Sequence, residues 1–304
     1  MPARISVLGA ATCCAVALVV GLTPALATAH SPSTRYYLAL GDSLSQGIQP
    51  DVNGATRDTN EGYPDQLTAI ERRRVPGLQL VKLGCGGDTT GSMLTGHGND
   101  RAARMLHCDR AGGSQLKAAE RFLRAHHRPG EVPLVTVDIG ANDVDGCASV
   151  PTAQIGSCVS TGEANIKHDL PLILSGLRKA APAGTRFAAM TLYDPVLGNY
   201  FSPDSTARAL ASASVALTQQ INAELTRVDT VAGFRTADVA GAFDTYDTTD
   251  MVTWENQSIP VNVARVCSWT WACTTPPSGP NIHANKNGYG VIAGAFQKVI
   301  GRLG

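Results

Sequence analysis

The chain has no excess of charge of either sign. It contains 25 Lys and Arg against 25 Asp and Glu in 304 residues, and charged residues make up only 16% of it. This balance removes the electrostatic attraction that would make DNA, RNA or an anionic membrane its principal partner. With 43% hydrophobic residues, the composition instead fits one sizeable globular domain with a full core.

Long apolar runs are scarce, because only the amino terminus contains one that approaches the length of a membrane span. Arg4 precedes an apolar run from Ile5 to Leu22, which is followed by the small residues Ala25-Leu26-Ala27-Thr28-Ala29. This order is typical of a secretory signal peptide. We predict that residues 1–29 are a cleaved signal, with a retained anchor as the alternative, and that residues 30–304 form a single secreted domain.

The cysteines include no Cys-x-x-Cys pair and no ordered Cys/His spacing, the patterns that indicate structural zinc. We therefore expect no metal site. Cys13 and Cys14 lie in the predicted signal, and an even number of remaining cysteines in an exported chain indicates disulfides. These cysteines fall into three local couples, which predict the bridges Cys85–Cys108, Cys147–Cys158 and Cys267–Cys273.

Segments typical of strands and of helices alternate along the domain. The predicted strands are Tyr36–Leu40, Leu78–Leu83, Leu134–Ile139, Arg186–Leu192 and Phe234–Val239. Helical patterns begin near Pro64 and cover Ser114–His127, Glu163–Ala180, Ser205–Val228 and Asn287–Leu303, with Pro171 expected to kink its helix or mark a restart. Residues 47–62, 88–112 and 241–282 have no sustained period and are predicted to be irregular. The alternation predicts a parallel sheet covered by helices on both faces.

Three of these strands end in short polar motifs that contain glycine, and a fourth polar motif precedes the last helix. The motifs are Gly41-Asp42-Ser43-Leu44, Gly86-Gly87-Asp88-Thr89-Thr90, Gly140-Ala141-Asn142-Asp143 and Asn281-Ile282-His283-Ala284-Asn285. Taken alone, Asp42 and Ser43 are explained at least as well by a structural role, in which they cap a helix, as by a functional one. Because the carboxyl ends of parallel strands lie side by side, we expect these distant motifs to form one composite site.

In this order, the four motifs resemble the GDSL family of the SGNH hydrolase superfamily, in particular its secreted, disulfide-bearing actinobacterial lipases and esterases. The resemblance implies a three-layer α/β/α sandwich with a central parallel sheet, a flavodoxin-like fold. It also implies a serine ester hydrolase without a cofactor. We expect a monomer that acts on a small-molecule or lipid ester, with no nucleic-acid partner and no stable membrane insertion after signal cleavage.

The resemblance also implies a role for one residue in each motif. Ser43 matches the nucleophile, and its backbone N–H matches one donor of the oxyanion hole. Gly87 matches the second backbone donor, and Asn142 matches the side-chain donor. His283 matches the general base. These four residues define the predicted catalytic site.

The sequence departs from the family at the residue that orients the histidine. An aspartate usually lies three residues before the histidine, and here that position is Pro280. A proline keeps its main-chain carbonyl as an acceptor, so we hypothesise a Ser43–His283 dyad in which the Pro280 carbonyl holds the imidazole. The alternative is an aspartate from the preceding segment, such as Asp244 or Asp247.

Several functions are compatible with such a site. A lipase or broad carboxylesterase is the leading expectation, and a carbohydrate O-acyl esterase or a phospholipase would use the same residues. A catalytically inactive secreted binding module is the alternative from another class of protein. The intact Ser43, Gly87, Asn142 and His283 speak against that alternative.

Overall fold

The computed structural model describes residues 1–3, 9, 34–97, 108 and 113–303. By its internal contacts the chain divides into Met1–Ser31 and Pro32–Gly304, and every element described below lies in the second unit. The predicted signal peptide falls almost entirely outside the described residues and stays a prediction. No helix in the described part of the chain combines the length and apolar character needed to cross a membrane.

Five parallel strands form the central sheet. The strands of the described chain are β1 (Arg35–Gly41), β2 (Gln49–Pro50), β3 (Thr56–Arg57), β4 (Leu78–Lys82), β5 (Leu134–Asp138), β6 (Arg186–Met190), β7 (Arg235–Ala237), β8 (Met251–Trp254), β9 (Gln257–Pro260), β10 (Thr270–Trp271) and β11 (Asn281–Ala284). The sheet has the order β4-β1-β5-β6-β7, and β2–β3, β8–β9 and β10–β11 form separate antiparallel pairs. All five strands predicted from the sequence are therefore present in the sheet.

Helices flank the sheet. They are α1 (Ser43–Gln46), α2 (Tyr63–Glu71), α3 (Thr90–Thr95), α4 (Gln115–Ala125), α5 (Thr152–Ala180), α6 (Ser205–Ala232), α7 (Val239–Ala242), α8 (Val261–Trp269) and α9 (Lys286–Ile300). Helix α2 packs against α9, where the rings of Tyr63 and Phe296 stack with centroids 4.7 Å apart. Helix α5 packs against both α4 and α6 in a second group. The α/β fold predicted from the sequence is confirmed.

The strand order brings the predicted motifs together. Strand β1 lies between β4 and β5, so the chain crosses from one side of β1 to the other after β4. In parallel sheets such a reversal leaves a crevice at the carboxyl ends of the strands, where ligands bind. The loops after β1, β4 and β5 carry Ser43, Gly87 and Asn142, respectively, so these residues meet at this crevice.

Several segments are more regular than the sequence predicts. Helix α5 begins at Thr152 rather than Glu163, and it continues through Pro171 without a restart. Pro171 and Lys167, whose main-chain carbonyl loses its helical donor, are both exposed, so water can satisfy that carbonyl. Residues 241–282 contain the β8–β9 hairpin and α8, whose patterns are too short to give a sustained period.

Three disulfides lie beside the loops that carry the motifs. They join Cys85 to Cys108, Cys147 to Cys158 and Cys267 to Cys273, the pairs predicted from the sequence. The first follows β4, the second ties the short 3-10 helix Asp145–Ser149 to α5, and the third ties α8 to the segment that leads to β11. The bridges therefore restrain the irregular connections at the carboxyl edge of the sheet.

A buried carboxyl near the end of α6 makes the stability of the fold depend on pH. Oδ2 of Asp229 accepts a hydrogen bond of 3.0 Å from Thr236, whereas the buried Oδ1 has no partner among the described residues. Burial raises the pKa of Asp229 to about 7. The folded chain therefore binds this proton more tightly than the unfolded chain does.

We expect the free energy of unfolding to fall as the pH rises from about 4, the ordinary pKa of aspartate, through about 7, the pKa in the fold. Asp229→Asn removes the charge and should raise the stability above pH 8 by about 1–3 kcal/mol relative to the wild type. Urea unfolding between pH 4 and pH 9 measures the pH dependence of the wild type and the stability difference of the variant. The exposed Asp250→Asn is the matched control, and a pH dependence unchanged in Asp229→Asn would contradict the prediction.

Candidate active site

Ser43 is the first residue of α1, in a tight turn that directly follows β1. Gly41 ends the strand with φ +134°, and a Cβ at this position would overlap the main-chain oxygen of Asp138. Asp42 caps α1, since its Oδ1 accepts the N–H of Leu44 at 3.0 Å. The hydroxyl of Ser43 donates to the same Oδ1 at 3.4 Å. The cap is thus Asp42, which leaves Ser43 facing the crevice.

The side-chain carboxyl group of Asp138, the last residue of β5, holds this turn in place through hydrogen bonds. Its Oδ2 accepts the N–H groups of Asp42 at 3.3 Å and Ser45 at 3.1 Å, and its Oδ1 accepts the hydroxyl of Tyr63 at 2.6 Å. Burial raises the pKa of Asp138 well above its ordinary value, and the nearby charge of Asp42 raises it further. Burial raises the pKa of Asp42 as well. Asp138 is a positioning group that the sequence motifs alone do not identify.

Gln115, at the start of α4, links the first two motifs. Its Oε1 accepts the N–H of Gly41 at 2.7 Å, and its Nε2 donates to Gly41 O at 2.8 Å and to Oδ2 of Asp88 at 2.9 Å. The side chain is fully buried. Because a backbone N–H can only donate, the contact with Gly41 fixes the orientation of the amide. No signal in the sequence identifies this residue, since its helix position is far from the motifs.

In the third motif, the side chains of Asn142 and Asp143 bond different partners. Nδ2 of Asn142 donates to Oδ2 of Asp42 at 3.2 Å and to the main-chain oxygen of Asp88 at 3.0 Å. The carboxylate of Asp143 accepts both the N–H of Thr90 at 2.9 Å and its hydroxyl at 2.7 Å. Asp143 therefore orients the loop after β4, and Asn142 carries its amide into the crevice between Asp42 and Asp88.

His283 lies on β11, with its Nδ1 2.6 Å from Oδ1 of Asn281. The backbone N–H of His283 donates to the same oxygen at 3.0 Å. The partner of the imidazole is therefore the Asn281 side chain, not the Pro280 carbonyl that the sequence suggested. In an extended strand residues i and i+2 share a face, which places Asn281 beside His283. This period is the signal from which Asn281 could have been found.

The two alternative aspartates have other partners. Oδ2 of Asp244 forms an ion pair of 2.9 Å with Arg265. Oδ1 of Asp247 accepts the N–H groups of Thr249 and Asp250, both at 3.0 Å. Both carboxylates thus stabilise their own segment. Neither forms an ion pair with His283 in the described structure.

Burial lowers the pKa of His283 to about 4. Desolvation disfavours the charged imidazolium, so the ring is neutral at physiological pH. A neutral imidazole can accept a proton, which is what a general base requires. Because Oδ1 of Asn281 accepts a hydrogen bond from Nδ1, the unprotonated nitrogen of the neutral ring is Nε2.

One cavity of about 350 Å³ brings the four predicted catalytic residues together, since Ser43, Gly87, Asn142 and His283 all line it. Most of the remaining lining is aliphatic and includes Leu44, Ile48, Val144, Ile155, Val159, Leu192, Val196, Leu210, Leu217, Ile221 and Ile282. Burial raises the pKa of Asp145, in the same wall, to about 7. The hydroxyl of Ser43, the imidazole of His283 and the amide groups of Gly87 and Asn142 therefore line a largely apolar cavity. This arrangement is suited to acyl transfer.

The described residues offer two further facts about the chemistry of the site. The backbone N–H groups of Ser43 and Gly87 have no acceptor among them. Nor do these residues contain a group of three or more His, Cys, Asp or Glu side chains arranged to hold a metal ion. The two N–H groups can thus serve as donors for an oxygen that enters the cavity beside Ser43.

A family model described as GDSL-like Lipase/Acylhydrolase matches residues 39–291. No curated protein matches the chain. Among solved structures, the chain is similar to an extracellular lipase from Streptomyces rimosus and to phospholipase A1 from Streptomyces albidoflavus NA297. Each is 18% identical with a TM-score of 0.45, and the alignments cover 77% of this chain and 99% and 98% of those proteins. An acetyl xylan esterase from Geobacillus stearothermophilus is 17% identical, with 89% of this chain and 96% of that one covered and a TM-score of 0.49.

Gln115→Leu tests the link between the first two motifs. Leucine keeps the apolar contacts but removes the amide, so the buried N–H of Gly41 loses this acceptor, which costs about 1–3 kcal/mol, and the hydrogen bond to Asp88 is lost as well. We expect the free energy of unfolding, measured by urea denaturation, to fall by about 2–4 kcal/mol. Gln219→Leu, on the exposed face of α6, should change it by less than about 0.5 kcal/mol. Equal stabilities of the two variants would show that the link is unimportant.

Proposed function

The chain belongs to the GDSL-like lipase/acylhydrolase family and is a carboxylic ester hydrolase, and from this premise we propose a secreted serine esterase or lipase that cleaves esters of apolar acyl chains. The observation that carries the proposal is the cavity, in which Ser43 and His283 border a largely aliphatic wall. The apolar wall would receive the acyl chain, and the polar edge would receive the ester group.

The reaction proceeds through an acyl-enzyme. Oγ of Ser43 attacks the ester carbonyl carbon while Nε2 of His283 takes its proton. The carbonyl oxygen becomes an oxyanion, which the N–H groups of Ser43 and Gly87 and the amide of Asn142 stabilise. His283 then protonates the leaving alcohol as the tetrahedral intermediate collapses. A water molecule then attacks the acyl group while His283 takes its proton, and His283 returns that proton to Oγ of Ser43 as the acid leaves.

The aliphatic wall favours a lipase or carboxylesterase over the other ester hydrolases. Ile155 and Val159 of α5 and Leu210, Leu217 and Ile221 of α6 line the cavity with carbon atoms only. An acetyl group leaves most of such a wall uncovered, whereas a longer acyl chain covers it. A carbohydrate O-acyl esterase or a phospholipase remains the second candidate, because the aliphatic lining bears on the acyl chain and does not select the alcohol portion of the ester.

Export fits both the amino terminus and the cysteines. The predicted signal at residues 1–29 would direct the chain out of the cell. Three disulfides in the domain persist in an oxidising compartment and are rare in a reducing one. We therefore place the enzyme outside the cell.

Ser43→Ala tests the proposed nucleophile. Within the described part of the chain, the side chain of Ser43 forms one hydrogen bond, the 3.4 Å contact with Asp42, so the fold should persist. Hydrolysis of p-nitrophenyl butyrate should fall by at least about 10⁴-fold, and labelling by a fluorophosphonate probe should disappear. Ser212→Ala, on the exposed side of α6, is the control and should keep both the ester hydrolysis and the labelling by the probe. Unchanged turnover in Ser43→Ala would refute the nucleophile, and an unlabelled, inactive wild type would favour the binding module.

A series of p-nitrophenyl esters from acetate to laurate tests the acyl cavity. Each methylene buried contributes about 0.8 kcal/mol, or about fourfold in kcat/KM, until the cavity is full. Val159→Phe shortens the cavity from α5 and should lower kcat/KM for the longest esters at least tenfold while leaving acetate nearly unchanged. Leu172→Phe, exposed on the same helix, is the control. A preference for acetate in the wild type would instead indicate an acetyl esterase.

A further inference from the structure

The amide of Asn281 has a defined orientation. One of its terminal atoms lies 3.0 Å from the backbone N of His283, which can only donate. That atom must be the acceptor Oδ1, because the alternative orientation would set two donors against each other. The same Oδ1 lies 2.6 Å from Nδ1 of the imidazole. The backbone therefore determines which atom of Asn281 faces the ring.

This orientation determines the tautomer of His283. Since Oδ1 can only accept, Nδ1 must carry the proton that joins the two side chains. In a neutral ring Nε2 is then unprotonated and has its lone pair available. An imidazole in the opposite tautomer has no basic nitrogen on the Nε2 side and cannot accept a proton from Ser43.

The position of Asn281 is fixed by its neighbours. Asn281 pairs with Trp271 of β10, and Ala284 pairs with Thr270. The hydroxyl of Tyr193 donates to the main-chain oxygen of Ile282 at 2.8 Å. The strand that carries Asn281 and His283 is thus held on two sides, so the amide is presented to the ring by a fixed backbone.

We propose that Asn281 is the positioning residue of the catalytic histidine: its side-chain amide holds His283 in the Nδ1–H tautomer and stands where a Ser–His–acid triad has a carboxylate. The inference rests on the proposed ester hydrolysis by Ser43 and His283. It replaces the Pro280 carbonyl of the sequence hypothesis with a side chain, and a side chain can be exchanged without altering the backbone.

A neutral amide orients the ring without stabilising its charged form. A carboxylate beside Nδ1 favours the imidazolium, whereas an amide adds no charge, in keeping with a pKa of about 4 for His283 caused by burial. The titratable groups that line the cavity with His283 are Asp42 after β1, Asp145 after β5, and Tyr193 and Asp194 after β6. The acid limb of kcat/KM against pH should accordingly lie near pH 4 in the wild type.

Two substitutions separate positioning from a merely structural role. Asn281→Asp keeps an acceptor for the backbone N–H of His283 but sets a carboxylate against Nδ1, and it should move the acid limb upward by about 1–3 pH units. Asn281→Leu removes the acceptor and should lower kcat/KM at least about 10-fold at pH 8, because general-base catalysis contributes about 10²–10⁴-fold. Asn165→Leu, on the exposed face of α5, is the matched control. Thermal unfolding at each pH identifies any variant that has lost its fold.

Nitrogen NMR of the ¹⁵N-labelled protein provides a readout that does not depend on activity. The resonances of His283 are identified by their loss in His283→Gln. In the wild type at pH 7 we expect the Nδ1–H tautomer, and in Asn281→Leu a mixture of the two tautomers. In Asn281→Asp the ring should titrate at a higher pH than in the wild type.

The outcomes distinguish this inference from the proposed function. An unshifted acid limb in Asn281→Asp, or wild-type kcat/KM in a folded Asn281→Leu, would overturn the role of Asn281 in an active esterase. An Nε2–H tautomer in the wild type would overturn it whether or not the protein hydrolyses esters. Absence of ester hydrolysis together with an Asn281-dependent Nδ1–H tautomer would instead refute the proposed function and leave the positioning intact.

Discussion

The close approach of β1 and β5 at their carboxyl ends is the constraint on which the site depends. Gly41 is in register with Asp138, and its φ of +134° and missing Cβ allow the chain to turn directly over that residue. The turn places the N–H groups of Asp42 and Ser45 on the carboxylate of Asp138. A side chain at position 41 would separate the strands and carry Ser43 away from the crevice.

The same junction sets the positions of the neighbouring loops. Gln115 bonds both backbone groups of Gly41 and also Asp88, whose main-chain oxygen receives the amide of Asn142. The three loops after β1, β4 and β5 thus form one hydrogen-bonded network. We expect a change in any one of them to alter the distances between Ser43, the proposed nucleophile, and the proposed oxyanion donors Gly87 and Asn142.

This network occupies both donors of the Asn142 side-chain amide. The two amide protons are directed to Asp42 and Asp88. A carbonyl oxygen that enters the proposed oxyanion hole has to replace one of these two acceptors, of which Oδ2 of Asp42 belongs to a side chain and the oxygen of Asp88 to the main chain. Burial raises the pKa of Asp42 to about 6, so the carboxyl is largely ionised at neutral pH and is a strong acceptor that the substrate oxygen must match. The exchange therefore becomes easier as negative charge develops on the substrate oxygen.

The sequence predicts the grouping of the proposed catalytic residues because the rule that brings them together is topological. Parallel strands that end in polar motifs must present those motifs at one edge, and no knowledge of packing is needed. Gln115 and Asp138 act through tertiary contacts across 74 and 96 residues, and a linear pattern does not contain such contacts. Asn281 lies between these cases, since its role follows from the strand period only once residues 281–284 are known to be a strand.

A neutral partner for His283 also suits the charge of the cavity. Asp42, Asp145 and Asp194 already line it, and burial raises the pKa of each. A fourth carboxylate at position 281 would repel the other three and raise their pKa values further. An amide at position 281 adds no charge next to the cavity, and burial, which raises the pKa of Asp145 to about 7, disfavours the charged form of that carboxyl. The amide that we propose as the partner of His283 therefore adds no charge beside the apolar wall that we propose for the acyl chain.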